Sequence, residues 1–290
     1  MKRYKPIIDD WDAFQKACDQ HPVSTVRKNH IKAAPNFEER LREAFNNVET
    51  AEWNSDIYRL PETETPGKSM LHWMGEYYVQ EESATIPVTV LQPEEGDKLL
   101  DMAAAPGGKT TQIASHIDNN GSLVANDASD KRMKSLHANV YRTGSACVAA
   151  TNYDGRQIPE DEKYDKILVD APCTGEADRA RRGESASIEE IKGLAELQKQ
   201  LAVKASKLLK KGGTMVYSTC TFAPEENEEV VKHVVEETEL ELVEIETEAE
   251  HVRGVTEFEN REYGQELKKT IRVYPHHLDS GGIYIAKFRK

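Results

Sequence analysis

The chain of 290 residues carries only four cysteines, Cys18, Cys147, Cys173 and Cys220, and no two of them form a Cys-x-x-Cys pair. A disulfide framework and a cysteine-ligated zinc site are therefore disfavoured, and each thiol needs its own explanation. Apolar runs are short: no stretch of about 18 apolar residues occurs, which argues against a membrane span. The start, Met1-Lys2-Arg3-Tyr4-Lys5-Pro6, runs straight into Asp9, Asp10 and Asp12 without a signal-peptide core, so a cytoplasmic location is expected. Repeats and low-complexity tracts are absent as well. Positive charge is in deficit, 38 Lys plus Arg against 51 Asp plus Glu, a formal charge of −13. That deficit is local, because residues 221–270 hold 16 acids and 5 bases and leave the remainder near neutral. Acidity therefore does not exclude a nucleic-acid partner. Short basic groups, Arg27-Lys28, Arg179-x-Arg181-Arg182 and the lysines from Lys204 to Lys211, are able to meet phosphates.

What is present is enough apolar material, 38% of residues, for a large domain and a small one. Residues 1–77 hold all three tryptophans, Trp11, Trp53 and Trp73, a helical pattern from Phe37 to Val48 and a loop from Pro61 to Gly67. They are expected to form a small α+β unit. Residues 78–290 alternate apolar strands with amphipathic helices, the pattern of an α/β fold with a mostly parallel sheet covered on both faces. Strands are expected at Lys98–Ala104, Ser122–Ala128, Ala146–Asn152, Tyr164–Asp170, Gly213–Thr219, Glu239–Ile245 and Ile283–Phe288. The last two follow one another without a helix and should pair antiparallel, which gives a seven-stranded sheet ending in an antiparallel hairpin. Ser129 is placed to cap one helix that stops at Gly144, and Ser187-x-x-Glu190 to cap a second that closes at Gly212. Pro224 fits a first helical position followed by Glu225 and Glu226.

Leu99 to Thr110 read as a strand, a turn of small residues and a helix start. Gly108-Lys109-Thr110 imitates the end of a phosphate-binding loop, but that motif needs glycine where Ala103 stands, and a nucleoside triphosphatase is disfavoured. The dinucleotide fingerprint is also missing. Asp127 nevertheless ends the second strand, where a carboxylate accepts hydrogen bonds from a ribose diol, and Asp154 follows the third, where it can meet an adenine edge. These positions imply an adenosine without a cradled pyrophosphate, which S-adenosylmethionine satisfies.

Six segments then occur in order: Val26-Arg27-Lys28-Asn29-His30-Ile31-Lys32, the stretch from Gly75 to Ala84, the loop from Asp101 to Thr110, Asp170-Ala171-Pro172-Cys173-Thr174-Gly175-Glu176, Ser218-Thr219-Cys220-Thr221, and Arg272-x-x-Pro275-His276. Through them nearly the whole chain resembles the Nop/Sun family of RNA cytosine-5 methyltransferases, in particular the compact archaeal tRNA type. The resemblance implies a class I methyltransferase (Rossmann-like) fold and an N-terminal RNA-contacting region. It also implies S-adenosylmethionine as methyl donor, RNA as partner, with tRNA favoured over ribosomal RNA, and a monomer without membrane contact. Cofactor contacts are implied at Ala103, Ala104, Ala105, Pro106, Gly107, Gly108, Lys109, Asp127, Arg132, Asp154 and Asp170.

The chemistry explains why such an enzyme carries two cysteines. Carbon 5 of cytosine is a poor nucleophile until a thiolate adds to carbon 6 and turns the ring into an enamine. After methylation a base must take the carbon 5 proton before the sulfur is eliminated. By resemblance Cys220 is the nucleophile, Cys173 assists product release, Asp170 contacts the target base and Lys109 bridges cofactor and target. Cys18 and Cys147 match no motif and read as small buried hydrophobes. Ala177 and Asp178 depart from the glycine usual after the Pro-Cys motif and put an acid beside the arginines expected near RNA. His276 and His277 lack a third ligand at sensible spacing, so no metal is expected. Two competing readings remain: an amino-group methyltransferase, which the cysteines oppose, and a noncatalytic RNA-binding assembly factor.

Overall fold

The structure, a computed structural model, describes residues 1–21 and 23–290. After a helix α1 (Trp11–Cys18), strands β1 (Ser24–Lys28), β2 (Glu49–Ala51), β3 (Asn54–Leu60) and β4 (Tyr77–Val79) form an antiparallel sheet in the order β2-β3-β1-β4. Helices α2 (Phe37–Ala44) and α3 (Met70–Met74) accompany it. This sheet has its own core of Val26, Phe37, Leu41, Phe45, Val48, Tyr58, Leu60, Leu71 and Tyr77. Tyr4, Ile8, Phe14 and Cys18, by contrast, pack into the core of the larger sheet.

That larger sheet has nine strands. β5 (Lys98–Asp101), β6 (Ser122–Asn126), β7 (Val148–Thr151), β8 (Tyr164–Asp170) and β9 (Leu209–Thr219) are parallel neighbours, and β15 (Ile283–Arg289) runs antiparallel beside β9. β10 (Glu241–Val243) pairs antiparallel with β15, as expected. The sequence reading had not anticipated β11 (Val252–Arg253) and β14 (Ile271–Val273), which extend the antiparallel edge; β12 (Glu257–Phe258) and β13 (Arg261–Glu262) form a separate hairpin. The spatial order β11-β14-β15-β9-β8-β5-β6-β7 reverses direction at β5, because β6 and β7 lie on one side and β8 and β9 on the other. Such a switch point opens a crevice at the carboxyl ends of the strands, here beyond Asp101 and Asp170.

Side chains alternate across the sheet with the period of two that strands impose. Leu100, Ile167, Val169, Met215 and Tyr217 pack toward α8 (Ile188–Leu208) and α9 (Glu228–Glu237). Leu99, Leu168 and Val216 pack toward α4 (Ile86–Leu91) and α5 (Gly108–His116) on the opposite face. Each fully buried leucine or valine of this kind contributes about 1.5–3 kcal/mol. The Ser129 hydroxyl caps α6 (Asp130–Thr143), which ends at Gly144 in a left-handed conformation. Ser187 caps α8, but that helix gives way directly to β9 at Leu209; Gly212 lies inside the strand, where its N–H bonds the Lys290 carbonyl, and does not close the helix. α7 (Glu176–Arg181) follows β8, and α10 (Pro275–Leu278) precedes β15. No described helix is long and apolar enough to cross a membrane.

Candidate active site

The turn after β5 does what its small residues allow. Gly107 sits at φ 105° with its missing Cβ only 3.0 Å from where Leu136 Cδ1 lies, so the loop presses against α6. A cavity of about 230 Å³ opens above it, lined by Ala103, Ala104, Ala105, Pro106, Gly108 and Lys109 together with Asp101, Asp170, Tyr78 and Gln80. Lys109 Nζ donates to Asp170 Oδ2 at 2.7 Å, and Ser218 Oγ donates to Asp170 Oδ1 at 2.7 Å. Both oxygens of Asp170 are therefore held in place. Burial opposes charge on Lys109, but the neighbouring Asp170 holds its pKa above the ordinary lysine value. Burial pushes the Asp101 carboxyl up to about 7 against the Thr110 hydrogen bond, and its Oδ1 has no partner.

Because β8 and β9 are parallel neighbours, the segments beyond Asp170 and Thr219 run side by side. They bring Cys173 Sγ and Cys220 Sγ to 3.2 Å. Cys220 is exposed and Cys173 half-buried. The hydrogen bond to Cys220, with burial second, pushes the Cys173 thiol well above its ordinary value and keeps its proton in place. Cys220 also lies near enough to Lys109 to favour the charged form of the lysine. Cys18 is buried in the main core and Cys147 packs partly against the other face.

The segment after Cys220 differs from its expected form. Pro224 to Asn227 form a turn, and α9 starts only at Glu228, so the helix expected from Pro224 begins later; the first turn of α7 meets this segment instead, the Ala177 N–H donating to the Cys220 carbonyl at 3.2 Å. Asn227 explains the delay: its backbone is not helical, and its side chain accepts from Thr219 Oγ1 and donates to the Thr221 carbonyl. Glu226 turns inward to Thr174 and Gln198. Arg272 brings a buried ion pair with Glu228 and donates to the Phe222 carbonyl at 3.0 Å. Sequence reasoning had missed Asp101, Glu226, Asn227 and Glu228 as parts of the site, although Thr174 and Thr221 beside the cysteines offered a clue to buried hydroxyl pairing.

The remaining predicted residues fall around this centre. The Asp127 carboxylate, at the end of β6, accepts from the backbone N–H groups of Ala105 and Ser129 and pairs with Arg132 at 3.3 Å. Asp154, past β7, pairs with Arg156 at 2.5 Å. Neither lines the 230 Å³ cavity. Arg27 is not available for phosphate: it is buried and donates to the Gly108 carbonyl at 2.8 Å, fastening the N-terminal sheet to the β5 turn. Arg179, Arg181 and Arg182 are paired with Glu190, Glu81 and Glu184. A larger cavity of about 910 Å³ lies beside the β12–β13 hairpin with no cysteine in its lining, so volume alone does not select the site. Asp9 supplies the third group beside His276 and His277 that spacing had not revealed. His277 Nδ1 accepts from the Tyr274 N–H, which places the ring proton on Nε2, facing Asp9 Oδ2 at 3.0 Å. A protonated Nε2 has no lone pair for a metal, and this trio reads as a polar tie between the two ends of the chain.

Residues 88–289 match the family described as 16S rRNA methyltransferase RsmB/F, and residues 1–82 match the N-terminal domain of 16S rRNA methyltransferase RsmF. The chain belongs to the RsmB/F family of methyltransferases. A family relative, the tRNA (cytosine(49)-C(5))-methyltransferase of Pyrococcus abyssi, is 35% identical over 296 residues, which cover 100% of this chain and 95% of that protein. Ribosomal RNA small subunit methyltransferase F of Aliivibrio fischeri is 36% identical over 294 residues, 96% of this chain but 60% of the relative's length. A methyltransferase homolog from Pyrococcus horikoshii has a TM-score of 0.87 at 31% identity, covering 96% of this chain and 90% of that one. NSun6 from Pyrococcus horikoshii, solved with SFG, has a TM-score of 0.84 at 24% identity over 96% and 94% of the two chains. The RsmB/F protein described here thus has the class I methyltransferase fold that its motifs implied.

Proposed function

We propose that this protein transfers a methyl group from S-adenosylmethionine to carbon 5 of a cytosine in RNA, through a covalent bond from Cys220 to carbon 6. The observation that carries the reading is the pair of sulfur atoms 3.2 Å apart at adjacent strand ends, beside the fixed Lys109–Asp170 pair. The cofactor supplies an electrophilic methyl group. The residues present suit it: the turn from Ala103 to Gly108 offers backbone without bulky side chains, and Asp101 Oδ1 is unpartnered at the cavity wall. Asp127 with Arg132 remains the candidate for the ribose end and Asp154 for the adenine edge.

The target base must leave its stack to reach the thiol, and the exposure of Cys220 supports that access. Cys220 Sγ donates its electron pair to carbon 6, and the electrons of the 5,6 double bond become available at carbon 5. Asp170, fixed by Lys109 and Ser218, contacts the ring nitrogen and amino group, where charge changes during addition. Once carbon 5 is methylated its proton leaves to a base, the 5,6 double bond reforms and the electrons of the carbon–sulfur bond return to Cys220. Cys173, beside that sulfur, assists this release.

Residues 1–77 are the proposed RNA-contacting region. Supporting this, α3 exposes Met70, Trp73 and Met74, with Trp73 72% accessible, and Arg142 of α6 donates to the neighbouring His72 carbonyl. The same helix presents Tyr141, 88% accessible, and two exposed lysines, Lys131 and Lys134, that make no ion pair among the described residues. Exposed aromatics for stacking and unpaired lysines for phosphates are what single-stranded RNA requires. tRNA is the proposed substrate, as in the name of the tRNA (cytosine(49)-C(5))-methyltransferase relative, with ribosomal RNA the alternative that the methyltransferase F relatives suggest.

Incubation with total tRNA, and separately with ribosomal RNA, and a labelled methyl donor, followed by mapping of the modified nucleotide, tests both reaction and substrate. The reading expects 5-methylcytosine in tRNA and none with Cys220→Ala. An active Cys220→Ala protein overturns the mechanism.

A further inference from the structure

Behind the cysteines lie two buried carboxyls that the mechanism above leaves unused. Glu226 Oε1 is 2.5 Å from Thr174 Oγ1, Thr174 Oγ1 is 2.9 Å from Thr221 Oγ1, and Thr221 Oγ1 is 3.1 Å from Glu176 Oε2. All four side chains are buried. Thr174 follows Cys173 and Thr221 follows Cys220, so this line of oxygens crosses from one cysteine segment to the other.

Its hydrogens can be counted. Three oxygen–oxygen contacts need three hydrogens, and two threonine hydroxyls supply two. The other donors approach from outside the line: Thr174 N and Gln198 Nε2 donate to Glu226 Oε2 at 3.0 and 2.7 Å, and Ala223 N donates to Thr221 Oγ1 at 3.3 Å. With both carboxyls ionised, both hydroxyls would turn outward to them, and the two threonine oxygens would face each other with lone pairs only. The third hydrogen therefore sits on a carboxyl. Glu226 is the better seat, since burial raises its pKa despite the hydrogen bonds from Thr174 and Gln198, and the charge of Glu176 raises it further. The consistent direction runs from the Glu226 acid to Thr174, from Thr174 to Thr221, and from Thr221 to the Glu176 carboxylate.

We propose that Glu226 is a positioning residue held as a neutral carboxylic acid, and that its proton completes the brace that sets the two cysteines side by side. This rests on the reading in which Cys220 is the nucleophile. Neutrality has a second consequence. Glu226 lies close enough to Cys173 for its charge to matter, so an ionised Glu226 would put another negative charge behind the sulfur pair when Cys220 must form a thiolate. Gln198 ties the acid to the chain, because its Nε2 donates both to Glu226 and to the Pro172 carbonyl at 2.9 Å.

Glutamine at position 226 can donate to Thr174 and accept from Gln198, whereas alanine can do neither. Glu226→Ala should lower kcat about a hundredfold while leaving methyl-donor affinity unchanged, and Glu226→Gln should recover most of that loss. Glu226→Gln as inactive as Glu226→Ala would mean that an ionised carboxylate is needed, and the proposal falls. Infrared spectroscopy reads the proton without reference to activity. At pH 8 the Asp101→Asn protein, which lacks the other raised carboxyl, should show the carbonyl band of a protonated acid, and adding Glu226→Gln should remove it. Absence of that band in Asp101→Asn overturns the proposal even if the double variant does not fold. Methyl transfer by Cys220→Ala would instead overturn the underlying reading.

Discussion

The turn after β5 shapes its cavity from one consecutive run of residues, Ala103 to Gly108, against which Tyr78, Gln80, Asp127 and Leu136 fold. The segments after β8 and β9 instead hold two thiols in place with Glu176, Gln198, Glu226, Glu228 and Arg272, gathered from across a hundred-residue span. One wall of the site is local backbone geometry, and the other is a network of buried charges and hydroxyls. Damage should therefore spread differently: in the turn itself it is mainly backbone strain, and on the cysteine side it leaves buried polar groups without partners.

The largest effect is expected at Glu228. Its removal strands the buried Arg272 guanidinium, and Glu228→Ala should cost about 3–5 kcal/mol in a denaturant titration. Restoring neutrality with the double change Glu228→Gln and Arg272→Met should return part of that loss. On the cavity side Asp101 gives an effect that depends on pH. Its folded-state pKa of about 7 lies above the ordinary 3.8, so the folded chain keeps a proton that the unfolded chain has lost. Stability then falls as pH rises from about 4 to about 7. Asp101→Asn lacks that fall, and its stability relative to wild type should improve between pH 4 and pH 8 by no more than about 4 kcal/mol. A stability difference that stays flat with pH would contradict the assignment. Gly107→Ala should cost about 1–3 kcal/mol, because its φ of 105° disfavours any side chain and the new Cβ meets Leu136. The smallest effect belongs to Arg182→Ala, whose pair with Glu184 is largely solvated; a shift beyond about 0.5 kcal/mol in thermal unfolding would be unexpected.

The same contrast governs what sequence could reveal. The strand, small-residue turn and helix from Leu99 to Thr110 are encoded by adjacent residues, as are the Ser129 and Ser187 caps, and these were legible. The strands ending at Asp170 and Thr219 were legible too, but their pairing as β8 and β9, which aligns the two cysteine motifs, came from the structure. Arg27 looked like a phosphate ligand because its partner, the Gly108 carbonyl, lies 81 residues away. Pro224, Glu225 and Glu226 looked like a helix start because local preference does not see Thr174 and Gln198 drawing Glu226 inward. His276 and His277 looked incomplete because Asp9 lies at the other end of the chain. In each case a distant partner outweighed the local signal.

The proposed reaction turns on a transient bond between the sulfur of Cys220 and the target base. Cys173→Ala protein, mixed with tRNA and S-adenosylmethionine and run on a denaturing gel, tests it most directly. The expected result is a protein–RNA adduct that survives denaturation and maps by mass spectrometry to the peptide containing Cys220. An adduct at another residue, or methyl transfer that persists when Cys220→Ala is added, would contradict it; undiminished turnover with no adduct would remove the release role of Cys173.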